Sequence, residues 1–303
     1  MRKSSDKEIT VIGAGIVGIC CACYLQRSGF EVTLVDRGEP AMQTSFGNAG
    51  GISPGSVTPL GMPGIWKQIP GWLLDDNAPL VIKGRYFPKA LPWLARFAYQ
   101  SRTSRVRQIS KALVALNSPT FDAYQPLLED AGLTQLFHRS GQLFLYRNRQ
   151  NMDKDTLTHE LRCKGGASIE FLDAEEIREI EPAITPIFEA GYLMPDNGHC
   201  SDPFGLASGL VKMFVNKGGV LIMDDVLDFI FDADSVSGLS TSSGVLDTRR
   251  VVIAAGVWSK TLCERLGFPV PLMSHRGYHA TIENSNVSLR HMCLPVDDKF
   301  AIT

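Results

Sequence analysis

The sequence predicts a mixed α/β fold, in which a parallel-sheet domain is interrupted by a second domain. Three features carry this reading. Residues 8–36 spell a strand, a glycine turn, a helix and a second strand in direct succession. Strand and helix signals then interleave along the rest of the chain. Far downstream, Arg250 to Ala255 forms another apolar strand, closed by Gly256-Val257-Trp258-Ser259.

The elements follow from their residues. Glu8 to Ile12 is a short buried strand, and Gly13-Ala14-Gly15-Ile16-Val17-Gly18 follows at once. Ile19 to Ser28 is a helix stopped by Gly29, and Glu31 to Val35 alternates as a second strand ending at Asp36. Three glycines at this spacing have separate physical reasons. Gly13 permits the tight turn, Gly15 lets a pyrophosphate approach the backbone, and Gly18 lets the helix press on the sheet. The helix start offers free N–H groups and a positive dipole end to phosphates. Asp36 lies close to the spacing expected of an acid that accepts ribose hydroxyls, and it disfavours a cofactor carrying a 2′-phosphate. The unit therefore predicts dinucleotide binding, with NAD and FAD both open at this point.

Further along, Asn117 or Ser118 caps a helix with Pro119 at its first position, running to Asp130 before Gly132. Gln142 to Tyr146 is a strand. Asp173 and Glu176 form a capping pattern for a helix ending at Glu181-Pro182. Asp202-Pro203 starts another helix, which ends at Gly218-Gly219. The strand Val220 to Ile222, Val226, and two hairpin-like strands reaching Leu246 complete the series.

Composition limits the function. The 303 residues are 44% hydrophobic and 20% charged, with a formal net charge of −2. Mean hydropathy is +0.00. These values exclude a disordered chain and a polytopic membrane protein, and nothing global calls for nucleic acid. The uncharged run Ile9 to Leu25 superficially imitates a secretion signal, but Asp6, Lys7 and Glu8 precede it and three ordered glycines punctuate it. Seven cysteines, an odd count, suit reduced thiols in the cytoplasm. Cys20 and Cys23 form a CxxC inside the first helix, where small thiols pack as hydrophobes. His275, His279 and His291 lack metal-ligand spacing, and no GxSxG elbow or P-loop is present, so no metal is expected.

Thr44-Ser45-Phe46-Gly47-Asn48-Ala49-Gly50-Gly51-Ile52-Ser53-Pro54-Gly55 selects among the dinucleotides. A nicotinamide domain continues with a helix and strand; this chain has a glycine-rich loop long enough to run beneath an extended cofactor. With Val11 to Gly18, Val35-Asp36-Arg37, Gly198 to Pro203, Val251 to Ser259, Arg276 to His279 and Phe300 to Thr303, it makes the chain resemble the D-amino-acid oxidase superfamily, and most closely its D-amino-acid dehydrogenase branch. The resemblance implies a Rossmann-like FAD-binding domain of the two-dinucleotide-binding-domain type. It implies FAD held by Gly13, Gly15 and Gly18 at the pyrophosphate and by Asp36 and Arg37 at the adenosine ribose. Ser45, Asn48, Ala49 and Gly50 would line the path to the flavin ring. The Val226 backbone would meet the adenine, and Ala255 and Gly256 would pack on the cofactor. Family members more often carry Glu at the position of Asp36, and the family fold continues beyond Thr303 with a segment that closes the flavin site.

The resemblance further implies oxidation of a D-amino acid, with hydride passing from its α-carbon to flavin N5 and electrons then going to a respiratory acceptor such as a quinone. Arg276 and Tyr278, two apart on an expected strand, share one face and are candidates for the substrate carboxylate. His199, in the expected turn before Asp202, is a further catalytic candidate. Alternatives are a glycine, sarcosine or hydroxyproline oxidase or dehydrogenase, an NAD enzyme, and an inactive FAD-binding remnant. The cofactor domain is expected over 1–56 and 199–262, and the substrate domain over 57–198 and 263–303. Between Asp76 and Asp122 there is no acidic residue, while Lys83, Arg85, Lys89, Arg96, Arg102, Arg105, Arg107 and Lys111 are basic, with Trp66, Trp72, Phe87, Trp93, Phe97 and Tyr99 in or beside them. Two readings of 83–111 stand: a peripheral contact with anionic lipid on the inner face of the cytoplasmic membrane, and a solvated basic helix over an aromatic core.

Overall fold

The computed structural model describes residues 7–65, 87–274 and 277–303. Strand β1 is Glu8–Ile12, helix α1 Ile16–Arg27, β2 Glu31–Asp36 and β3 Gly51–Ile52. Helices α2 (Phe87–Gln100), α3 (Thr103–Asn117) and α4 (Thr120–Ala131) precede β4 (Phe137–His138) and β5 (Gln142–Tyr146). Next come α5 (Arg149–Lys154), α6 (Thr156–Lys164), β6 (Glu170–Asp173), α7 (Ala174–Ile180), β7 (Ala190–Met194) and β8 (Gly198–Cys200). The chain closes with α8 (Pro203–Asn216), β9 (Val220–Met223), β10 (Val226–Asp232), β11 (Ser235–Thr241), β12 (Gly244–Asp247), β13 (Val251–Ile253), α9 (Ser259–Arg265) and β14 (Met292–Pro295).

The chain divides into two compact units. The first comprises Met1–Gly50, Ala123–His138 and Cys200–Asn286, and the second Gly51–Asp122, Arg139–His199 and Val287–Thr303. The first unit thus takes in 123–138 and 263–286, which sequence reading grouped with the substrate domain. Helix α4 supplies the link: Tyr24 donates from its hydroxyl to the Ala123 carbonyl at 2.5 Å, and Asp130 pairs with both Arg27 and Lys217.

In the first unit four parallel strands run in the order β13-β1-β2-β9. Val11, Leu34 and Val35 are fully buried, as strands covered on both faces require. α1 lays Ile19, Ala22 and Cys23 against the sheet, and α8 contributes the buried Leu206, Leu210 and Phe214. β10, β11 and β12 form an antiparallel meander. Phe229 and Leu239 of the meander pack with Ile12 and Leu262.

In the second unit a mixed sheet runs β14-β5-β7-β6. One face buries Leu143, Leu145, Leu172 and Cys293 against Ile177 of α7. The other packs Tyr146, Tyr192 and Met194 against Met152 of α5. Two of the predicted caps are present: Asp173 and Glu176 exchange hydrogen bonds at the start of α7, and Asp202 accepts from the Gly205 N–H at 2.7 Å at the start of α8. The cap expected at Asn117 or Ser118 is not: Asn117 ends α3, its side chain donates to the Ser56 carbonyl at 2.9 Å, and α4 starts after Pro119, at Thr120.

Candidate cofactor site

The glycine turn after β1 is shaped by contact. Gly13 has φ +107°, open to glycine and strained for other residues, and a Cβ there would lie 2.5 Å from the Ala254 carbonyl oxygen. A Cβ on Gly18 would overlap the Gly13 carbonyl oxygen, so α1 can approach the turn only without one. Gly15 differs. Its φ of −74° and ψ of 172° suit any residue, and a Cβ would meet only the Ser45 hydroxyl, at 3.3 Å. No internal contact demands a glycine at this position. The bare backbone leaves room for a group from outside the chain, as a pyrophosphate at this helix end requires.

Two predicted binding residues converge on the turn. Asp36, ending β2, accepts from the Ala14 N–H at 2.7 Å and from the Gly38 N–H at 3.1 Å. Ser45 accepts from the Ile16 N–H at 2.9 Å and so satisfies an orphan donor at the start of α1, where Gly15 has no side chain to cap with. The loop beyond is set by short-range bonds. Asn48 donates to the Ser45 carbonyl at 2.8 Å and accepts from the Gly50 N–H at 2.9 Å. Gly50 has φ +63°, and its carbonyl accepts from the Cys200 N–H at 2.7 Å. Arg37 lies 4.3 Å over the Trp258 ring, beside Ala255 and Gly256 in the turn after β13. Val226 opens β10 and packs on the Phe229–Leu239 cluster. The first unit therefore gathers Gly13, Gly15, Gly18, Asp36 and Ser45 around one helix start. These residues fit an FAD diphosphate and ribose.

The catalytic candidates lie differently. Arg276 is outside the described residues. Tyr278 is 92% exposed, and the segment Gly277 to His291 contains no strand, where sequence reading expected one. His199 sits in β8, paired with Gly51, and not in a turn; its Nδ1 is 3.2 Å from the Ser140 hydroxyl. Sequence reading missed a polar knot in the second unit. Buried Gln142 accepts from Ser53 at 2.9 Å and from Asn197 at 3.0 Å, and it donates to the Gly198 carbonyl at 2.9 Å. Asn197 also accepts from the Gly55 N–H at 3.1 Å. The knot fixes the last residues of the glycine-rich loop. Its only sequence signal was a polar residue at the head of an apolar strand.

The CxxC thiols pack within α1. Burial pushes Cys20 up to about 12 and Cys23 up to about 11, so both stay protonated at neutral pH. Among the described residues no three His, Cys, Asp or Glu side chains are placed to hold a metal. No described helix is long and apolar enough to cross a membrane. Of the basic segment, Lys83, Arg85, Trp66 and Trp72 lie outside the described residues. Arg107 forms a two-point bond with Glu160 at 2.7 and 3.1 Å, and Arg102 and Arg105 cover the Tyr99 ring. Trp93 stacks on Phe97 at 5.1 Å, and both Trp93 and Tyr99 keep close to half their surface exposed.

A glycine turn on a parallel sheet, with Asp36 closing the second strand and an extended glycine-rich loop beyond it, is the frame of a dinucleotide-binding domain. The chain belongs to the FAD dependent oxidoreductase family, whose profile matches residues 8–302. Its cofactor is accordingly FAD. The chain is 35% identical over 301 residues to a D-amino-acid oxidase of Bradyrhizobium diazoefficiens, covering 98% of this chain and 71% of that protein. It is 29% identical to a D-amino acid dehydrogenase of the same organism, covering 97% of this chain and 71% of that one. Among solved structures, glycine oxidase from Bacillus cereus superposes with a TM-score of 0.57 at 20% identity, covering 86% of this chain. The chain spans 58% of that structure's length.

Proposed function

We propose that this chain belongs to an FAD-dependent enzyme that oxidatively deaminates a D-amino acid. The observation that carries the reading is the glycine at position 15, which the protein's own packing does not require and a bound diphosphate does. The names of relatives at 29–35% identity support a D-amino acid as substrate.

Bound FAD would supply the two-electron oxidant that removes the α-hydrogen of the amine. The chain's residues do the binding and orienting. The start of α1 and the Gly13–Gly18 turn hold the diphosphate, and Asp36 and Arg37 hold the ribose. The loop from Ser45 to Gly50, locked by Asn48, runs along the cofactor toward its ring. Arg276 and Tyr278 are proposed to grip the substrate carboxylate, with His199 proposed at the pocket. Losing two electrons and two protons turns the amino acid into an imino acid, and water then releases a keto acid and ammonia. Domain limits near 1–56 with 199–262 and 57–198 with 263–303 remain the proposed division of labour.

The test is a visible spectrum of the protein desalted after incubation with excess FAD. Flavin bands on the protein fraction support the reading, and a colourless protein counts against it. Turnover of D-alanine with a dye acceptor and without peroxide would favour a dehydrogenase that passes electrons to a quinone. A glycine or sarcosine preference would favour the alternative amines. A peripheral membrane contact is one of two readings of the basic segment; sedimentation with anionic but not neutral vesicles would support it, and no difference between the two would support a solvated basic helix.

A further inference from the structure

We propose that the second unit carries a binding site for a small monocarboxylate with an apolar body, anchored by Arg162. The site shares no residue with the cofactor cradle, which lies in the first unit.

Arg162 sits in α6 and is 8% exposed. One terminal nitrogen donates to the Tyr192 hydroxyl, while Nε has no partner. No ion pair among the described residues includes it. The guanidinium carbon lies 4.6 Å from the Phe144 ring centre and 5.6 Å from that of Tyr192. Aromatic faces attract a cation but do not neutralise it or accept its in-plane N–H bonds. A guanidinium so buried normally faces a carboxylate, because desolvation is otherwise uncompensated.

The same side chain lines a cavity of about 460 Å³, within the size range of small-molecule sites. Its remaining walls fix the ligand's class. Phe144 and Tyr192 stack at 4.7 Å, and Leu294, Pro295 and Val296 add apolar surface. Asp155 also lines it, but accepts the Tyr146 hydroxyl proton at 2.7 Å. Lys299 lines it too. An anionic head at Arg162 with a flat or aliphatic body along Phe144 and Leu294 completes both the charge and the packing.

The test is calorimetric titration of the full chain with phenylacetate and, separately, with its neutral isostere phenylacetamide. The expected result is saturable binding of phenylacetate about tenfold or more tighter than of the amide, the value of one charge-assisted bond. Arg162→Gln should erase that preference, and Arg276→Gln should keep it. Thr158→Trp, which fills the cavity while keeping the arginine, should abolish binding even if Arg162→Gln folds poorly. Equal affinity for acid and amide, or no saturable binding, overturns the proposal. So does a preference that survives Arg162→Gln. A preference lost only in Arg276→Gln belongs to the carboxylate grip proposed above and also overturns this site.

Discussion

Replacing Gly15 with alanine separates what the fold needs from what the cofactor needs. Its backbone sits at φ −74° and ψ 172°, so an alanine takes the same conformation. Its nearest neighbour would be the Ser45 hydroxyl at 3.3 Å, which can yield by a few tenths of an ångström. The gain from a stiffer unfolded chain, about 0.4–1 kcal/mol, opposes a poorer N-cap of similar size. The flavin-free protein should therefore keep its stability within about 1 kcal/mol, which chemical denaturation measures. On the proposed cofactor placement, however, the added methyl group crowds the backbone that the diphosphate would approach. Losing one charge-assisted hydrogen bond costs about 1.5–3 kcal/mol, or roughly 10- to 100-fold in affinity. Equilibrium titration followed by flavin absorbance should show that loss. Gly18→Ala is the comparator: its Cβ overlaps the Gly13 carbonyl, so it should destabilise the flavin-free protein itself. A Gly15→Ala protein that binds FAD as tightly as the parent refutes the reasoning, because the open backbone would then have no ligand to explain it.

Ser45→Ala leaves the Ile16 N–H without its acceptor and should cost about 1 kcal/mol, seen as a Tm lower by about 2–4 °C. Asp36→Ala removes the acceptor of Ala14 and the proposed ribose contact together, so both thermal stability and FAD affinity should fall, the latter about tenfold in the same absorbance titration. Lys164 and Arg107 hold Glu160 down to about 2 from an ordinary 4.5. The ionised form is thus favoured by folding: its contribution is complete above pH 4.5 and is lost as pH falls toward 2. Glu160→Gln should flatten that part of the stability–pH curve, and parallel curves for parent and variant would contradict it.

The cofactor half of the molecule was legible because its chemistry is local in sequence. The glycines, Asp36 and the strands around them lie within 30 residues, and Gly13 and Gly18 each have a conformational or steric reason to be glycine. The caps at Asp173 and Asp202 were legible for the same reason. What escaped was whatever depends on distant partners. Gln142 reads as a polar flaw in a strand until Ser53 and Asn197 arrive from either side. Arg162 reads as one more charge on an amphipathic helix until Tyr192 and Phe144 enclose it. The strand expected through Tyr278 needed a neighbour to pair with, and the local residues do not supply one.

The order of strands in the parallel sheet also governs how the protein is born. β1 and β2 leave the ribosome first, yet their outer partners, β9 and β13, begin at Val220 and Val251. At ordinary elongation rates the intervening stretch takes on the order of 10–40 s to synthesise. Throughout that interval two apolar strands have unpaired edges on both sides, a template for association with other nascent chains. Segments of the second unit are translated inside this window. The parallel sheet cannot close until Ile253 has emerged, so its two earliest strands wait longest for their outer partners.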